Sequence, residues 1–230
     1  MSKETHKSKR QAMRERRRSR QIVQSVVGYG ITGVILLSVI IYTLTRPHAK
    51  PLDAARLASD PTLGGPASAK VSIVEYSDFG CISCRAWHNS GVLKQVLDTY
   101  GDKIRFVWKD LPIITPQSPK AAEAGQCAFD QGKFWEYHDI LFSNWTGENV
   151  GDFTPDKLHK YALTLGLDTT TFDKCLSSGA RQAQLDQDVA NAKADGIRAT
   201  PSFLINGKLL EGAQPFDAFQ QAIEAALQGN

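Results

Sequence analysis

Two cysteines, Cys81 and Cys84, stand two residues apart in Cys81-Ile82-Ser83-Cys84. They follow the apolar run Val71-Ser72-Ile73-Val74-Glu75-Tyr76 and open a segment with helical character. Two cysteines handed from a strand to a helix N-terminus suit thiol–disulfide chemistry. The helix end offers unpaired N–H groups and a partial positive charge, both of which stabilise a thiolate on the first cysteine. The spacing lets the second thiol reach the first sulfur. A purely structural link is the weaker reading, because so small a loop adds little stability. Far downstream, Ala199-Thr200-Pro201-Ser202-Phe203 places a proline at the opening of a strand, a position that prolines tolerate.

The elements that must position these groups follow from periodicity. Val71–Tyr76 reads as a β-branched strand, Cys81 to about Tyr100 as helix, and Ile104–Trp108 as a second strand. From Ser118 to about Ala194 the apolar residues recur at helical spacing. Helices are expected at Pro155–Leu165, Thr171–Leu176 and Arg181–Asp195. Ser202–Ile205 and Leu209–Leu210 flank Asn206-Gly207, a hairpin signal, and Pro215–Leu227 is a terminal helix. The order is βαβ, a helical insertion, then ββα. Glu75 alternates with Ile73 and Val71, which turns it inward with them; an inward carboxyl beside two thiols can relay protons. His88, one turn after Cys84, is expected on the exposed side of its helix. Lys109 is expected in solvent, with pairing to Glu75 as the alternative.

The net charge of +3 conceals an asymmetry. Residues 1–20 hold nine Lys or Arg against Glu4 and Glu15, a net +7 that leaves −4 over the remainder. Basic N-termini can bind nucleic acid, but Ile22 to Thr45 follows without a charge and with a long apolar run, Val26 to Leu44. That is about the length of a membrane-spanning helix. The basic flank puts the N-terminus inside. A cleaved signal peptide is the weaker reading, since no small-residue cleavage site follows, and a buried core helix is weaker still. The expected organisation is a basic cytoplasmic tail (1–21), a single-pass anchor in the cytoplasmic membrane (22–45), a Pro- and Gly-punctuated extracytoplasmic linker (46–68) and a catalytic domain outside the cytoplasm (69–230), with its helical insertion at about 118–195. No nucleic-acid partner is expected.

Disulfides persist outside the cytoplasm, and four cysteines suit that compartment. Cys127 and Cys175 stand alone, without the second CxxC or His pair that a zinc site requires, so no metal is expected. A bridge between them is expected; two buried free thiols are the alternative. Closing a loop of nearly fifty residues would stabilise by about 4 kcal/mol on the chain-entropy estimate.

The chain resembles the DsbA-like branch of the thioredoxin superfamily, in its membrane-anchored or secreted bacterial form. The residues that carry the resemblance are Val74-Glu75-Tyr76-Ser77-Asp78-Phe79 with Cys81 and Cys84, the stretch Gly132-Lys133-Phe134-Trp135-Glu136-Tyr137-His138, and Gly196-Ile197 with Ala199-Thr200-Pro201-Ser202-Phe203 and Asn206-Gly207. It covers about Ala69 to Leu227. It implies a thioredoxin fold with an inserted all-helical domain, preceded here by one transmembrane helix. It also implies that Cys81 is the exposed nucleophile and that Cys84 resolves mixed disulfides. Pro201 would form a cis peptide facing them, Thr200 would tune reactivity, and Glu75 would lie buried behind. Ile82-Ser83 departs from the family, whose members often carry Pro beside the first cysteine; that bears on redox strength.

The expected activity is protein thiol–disulfide oxidoreduction, introducing disulfides into exported client proteins. A quinone-linked membrane partner, DsbB- or VKOR-like, would reoxidise the pair. No bound cofactor is needed, because the cysteines are the redox centre. A reductase or isomerase, or a non-redox chaperone-like binding module, is the alternative.

Overall fold

A computed structural model of the chain describes residues 59–229. The tail expected at 1–21 and the anchor expected at 22–45 lie outside the described residues. A five-stranded sheet organises the rest, in the order β1-β3-β2-β4-β5. Its strands are β1 (Thr62–Gly64), β2 (Val71–Ser77), β3 (Ile104–Asp110), β4 (Ser202–Ile205) and β5 (Lys208–Glu211). β2 and β3 run parallel; β1 is antiparallel to β3, and β4 to β2. Between β2 and β3 lie α1 (Ile82–Asn89) and α2 (Val92–Tyr100). Between β3 and β4 come α3 (Ser118–Phe129), α4 (Phe134–Asn144), α5 (Pro155–Thr164), α6 (Thr169–Ser178) and α7 (Gln182–Ala194); α8 (Phe216–Leu227) closes the described chain. This is a thioredoxin fold with an inserted helical segment.

Two sequence readings need correction. The linker expected over 46–68 does not extend to 68: Thr62–Gly64 forms an edge strand on β3, and Asp60 before it is buried. The single helix expected from Cys81 to Tyr100 is two. Gly91 adopts φ +77°, a left-handed conformation that a glycine reaches without strain, and α2 starts after it. The hairpin is as read: Asn206 and Gly207 both take positive φ, 46° and 83°, as a tight turn between twisted strands requires. The Asn206 side chain accepts from Ser72 N at 2.8 Å and donates to Lys70 O at 3.1 Å, pinning the turn to the start of β2.

β2 is buried on both faces. Val71 and Ile73 join Phe106, Trp87 and Phe219 in one cluster, whereas Val74 and Tyr76 pack with Val107, Ala192 and Ile197 in another. A third cluster fills the inserted helices around Tyr137, Leu141, Leu158 and Phe172 and reaches Cys81 and Cys84. Strands of this kind read as continuous apolar runs, so alternation alone did not decide where Glu75 lies; it is buried because the whole strand is.

Lys109 is neither in solvent nor paired with Glu75. Its ammonium donates to Asp60 at 2.7 Å and to Asp188 at 2.8 Å, with all three residues buried. Burial alone would pull its pKa down, but the two carboxylates outweigh it and raise the pKa above the ordinary value. The pair ties β3 to the segment before β1 and to α7. Cys127 on α3 and Cys175 on α6 form a disulfide with a Cα separation of 5.9 Å across 48 residues.

Candidate active site

β2 ends at Ser77, and the buried carboxyl of Asp78 just after it shapes the turn into α1. It accepts from Gly80 N at 2.7 Å and from Ile114 N at 2.7 Å. Gly80 is required by close approach: a Cβ there would lie 2.5 Å from Ser118 Oγ. The turn delivers Cys81 to the N-cap of α1 in extended conformation, where its sulfur accepts from Cys84 N at 3.4 Å. Both cysteines are free thiols and both are buried, Cys81 at 4% exposure and Cys84 at 0%.

The two sulfurs differ sharply. The Cys81 thiol is lowered to about 6. The hydrogen bond from the Cys84 thiol is the largest cause; partial burial opposes it, and the Thr200 side chain and the N–H groups of Cys84 and Ser83 add to it. Cys84 is pushed well above the ordinary thiol value, first by burial, then by the bond and charge of Cys81 and by the charge of Glu75. At neutral pH the pair therefore holds a Cys81 thiolate beside a Cys84 thiol.

Thr200 and Pro201 come to the same place from the loop before β4. The Thr200–Pro201 peptide is cis, and the Thr200 carbonyl lies 3.4 Å from Cys81 Sγ. Thr200 Oγ1 is buried and has no other hydrogen-bond partner among the described residues, so its O–H is free for the Cys81 thiolate. Glu75 lies behind the pair. The structure thus brings Cys81, Cys84, Thr200, Pro201 and Glu75 together, while Cys127 and Cys175 serve the inserted helices. Arg85, the nearest cation in sequence, is turned away: its Nε donates to Phe142 O at 2.8 Å and its guanidinium lies 5.5 Å from the Trp145 ring centroid.

Sequence reasoning missed the surroundings of His88. It is not an exposed helix histidine; its Nε2 lies 3.2 Å from Glu75 Oε2 and 3.3 Å from His138 Nε2. His138, on α4, is buried among aromatic rings and held by Asp139. The only hint was the helical spacing that put His88 one turn past Cys84; nothing local joins it to a residue fifty positions away.

The thioredoxin family profile matches residues 58–225. The chain belongs to the thioredoxin family. Among solved structures, BdbD from Bacillus subtilis superposes with a TM-score of 0.67 at 23% identity, over 75% of this chain and 95% of that one. A thioredoxin-like oxidoreductase from Silicibacter pomeroyi gives 0.65 at 27% identity, over 74% and 93%. Alpha-DsbA1 from Wolbachia pipientis gives 0.63 at 21%, over 74% and 92%. This thioredoxin-family chain shares with those structures a thioredoxin fold, and it carries its CxxC at the strand-to-helix junction and a set of inserted helices.

Curated relatives place the domain in a different setting. The Na+/H+ antiporter NhaA 1 of Salinispora arenicola is 34% identical over 167 residues, and NhaA of Herminiimonas arsenicoxydans is 34% identical over 165. Each match covers 72% of this chain but only 24% and 25% of the antiporters, so the chain spans about a quarter of the length of the curated relatives it matches. The expected localisation, a single-pass protein of the cytoplasmic membrane with its N-terminus inside, is corrected accordingly. These relatives are antiporters, membrane proteins about four times the length of the matched region. A spanning helix needs about 20 apolar residues. Among the described residues the longest helix, α7, has 13, and none is long and apolar enough to cross a membrane.

Proposed function

We propose that this chain is a DsbA-like thiol–disulfide oxidoreductase that works as a dithiol oxidase, transferring the Cys81–Cys84 disulfide to reduced client polypeptides. The observation that carries the reading is the split between the two sulfurs. A Cys81 thiolate lowered to about 6 stabilises the reduced form, which makes the disulfide the stronger oxidant and Cys81 the better leaving group.

A client thiolate attacks Cys81 Sγ of the disulfide. The new client–Cys81 bond forms as the Cys81–Cys84 bond breaks, and Cys84 leaves with the electron pair and takes up a proton. A second client thiolate then attacks the client sulfur of the mixed disulfide; the client leaves oxidised, and Cys81 departs as its stabilised thiolate. The client loses two electrons and the CxxC gains them. A quinone-linked partner resembling DsbB or VKOR would accept those electrons and restore the disulfide. Exposed Ile82, beside Cys81, and exposed Ile113 and Ile114, in the loop held by Asp78, offer apolar surface for an unfolded chain. Pro201, in the cis peptide beside Cys81, would help hold the client chain, and Thr200 tunes the thiolate.

The test is a reduction potential with two variants. The couple should fall between the thioredoxin and DsbA values, roughly −270 and −120 mV. A value at or below the thioredoxin end would assign the chain to reduction or isomerisation instead. Cys81→Ser should abolish client oxidation, and Cys84→Ser should accumulate mixed disulfides. The reverse pattern would exchange their roles, and no exchange with a small dithiol would leave a binding module.

A further inference from the structure

Cys84 poses a problem that Cys81 does not. Its thiol is fully buried and held far above the ordinary value, yet it must lose its proton each time it attacks a mixed disulfide at Cys81. Glu75 is near enough for its charge to act on Cys84, but Glu75 is itself fully buried. A proton moved to it has to go further.

The continuation runs from Glu75 into the inserted helices. Glu75 Oε2 lies 3.2 Å from His88 Nε2, which lies 3.3 Å from His138 Nε2. His138 Nδ1 lies 2.8 Å from Asp139 Oδ1, and the Asp139 side chain is 78% exposed. His88, His138 and Asp139 all line an open cavity of about 390 Å³, with Lys94 and Asp98 of α2 on its other wall. Aromatic neighbours pack against both rings: Phe142 stacks on His88 at 5.1 Å, and Trp108 meets His138 edge-on at 4.9 Å.

We propose that His88, His138 and Asp139 form a proton exit that carries the Cys84 proton from Glu75 to this cavity. The inference rests on the resolving role assigned to Cys84. The Cys84 S–H proton passes to the Glu75 carboxylate. His88 accepts it at Nε2, and a small swing of the ring turns that N–H from Glu75 Oε2 to His138 Nε2. His138 then releases its Nδ1 proton to Asp139 and so to water. Each base regains its starting protonation once the tautomers reset. As the proton leaves, Cys84 sulfur forms a bond to Cys81 sulfur, and the client or partner sulfur departs with the electron pair of the broken bond. Burial first, and then the neighbouring His88, lower His138 to about 4. It is therefore neutral at rest and holds an extra proton only in passing. The charged groups facing the path are Glu75 from β2, Asp139 from α4 itself, and Lys94 and Asp98 across the cavity. The two rings are relay and positioning groups rather than catalytic residues, because neither touches the reacting sulfurs.

The test uses the full chain with Cys81 joined to thionitrobenzoate, whose coloured thiolate is released when Cys84 attacks. In His138→Phe a ring still fills the aromatic enclosure but carries no nitrogen. Its release rate at neutral pH should drop about a hundredfold, the low end of what general acid–base catalysis contributes, and the slowed rate should climb with pH as hydroxide takes over. Iodoacetamide alkylation of Cys81 in the reduced chain should keep its wild-type rate. His138→Ala opens a space onto the cavity, and added imidazole should restore release. Wild-type release by His138→Phe would overturn the proposal, as would a slow His138→Ala that imidazole leaves slow. Failure of the underlying redox reading looks different: the wild-type adduct itself would then release no thiolate.

Discussion

At the scale of single residues, the chemistry depends on how the Cys81 charge is held. The Thr200 hydroxyl has no competing partner among the described residues and is one of the groups that lower the thiol. Thr200→Val keeps the shape and removes the donor. Hydrogen bonds to charged groups contribute about 1.5–3 kcal/mol, so the Cys81 pKa should rise by roughly one unit. The couple should become about 30 mV less oxidising. Thiolate absorbance against pH and equilibration with glutathione would measure the two. The same ionisation sets a pH dependence. Cys81 lies at about 6 in the folded reduced protein, against about 8.5 for an ordinary thiol. A depressed acid contributes stability that is fully present above the unfolded value and is lost as pH falls through the folded one. Cys84, raised by burial, stays protonated in the folded state, and in the unfolded state it begins to ionise near 8.5, which offsets the gain by only about 0.4 kcal/mol at the top of that window. The oxidised protein has no CxxC thiol to titrate. The stability of the reduced form relative to the oxidised form should therefore grow by roughly 3 kcal/mol between pH 6 and 8.5. Paired urea titrations across that range check it, and a flat difference would mean that Cys81 is not depressed.

At the scale of elements, the sheet is braced by charges rather than by apolar packing alone. Lys109 on β3 holds Asp60, just before the edge strand β1, and Asp188 on α7. Asp188 Oδ2 also lies 3.4 Å from the Asp110 N–H. Asp110 in turn accepts from Trp108 Nε1 at 2.9 Å and from Gln126 Nε2 of α3 at 2.6 Å. The network thus joins the sheet to two inserted helices. Lys109→Met keeps most of the volume but removes the buried ammonium that Asp60 and Asp188 share. Removing one partner of a buried pair costs about 3–5 kcal/mol. The urea midpoint should fall accordingly, while the Cys81 pKa moves little because Lys109 is not among the groups that set it. A near-neutral result would mean that water or relaxation compensates the two acids.

At the scale of the whole molecule, the inserted helices form a cluster of their own, tied together by the Cys127–Cys175 bridge. The loop it closes spans 48 residues, which corresponds to about 4 kcal/mol of chain-entropy stabilisation. Cys81 leaves as a stabilised thiolate, so mild reductant should open a Cys81–Cys84 disulfide while leaving the Cys127–Cys175 bridge intact. Alkylation followed by mass mapping would show it; two freely alkylated thiols at Cys127 and Cys175 in unreduced, denatured protein would contradict the bridge. Replacing both cysteines with alanine should lower the thermal midpoint yet leave the potential of the active pair unchanged, because the bridge makes no contact that sets the Cys81 thiolate.

The sequence by itself determined what is local. The CxxC at a strand-to-helix junction, the helical spacing of the insertion and the Asn206-Gly207 turn are each written in a few neighbouring residues, and the structure keeps them in place. Thr200 and Pro201 were legible only through resemblance, since nothing in their spacing places them against Cys81. The tertiary structure alone decided the rest. β1 was hidden because three residues ending in glycine carry no periodicity and become a strand only by pairing with β3. Lys109 looked like a solvated residue until Asp60 and Asp188, 49 and 79 positions away, were folded onto it. His88 and His138 meet across 50 residues. A histidine acquires a role from the acid and the ring beside it, and those neighbours are set by packing between elements rather than by order along the chain.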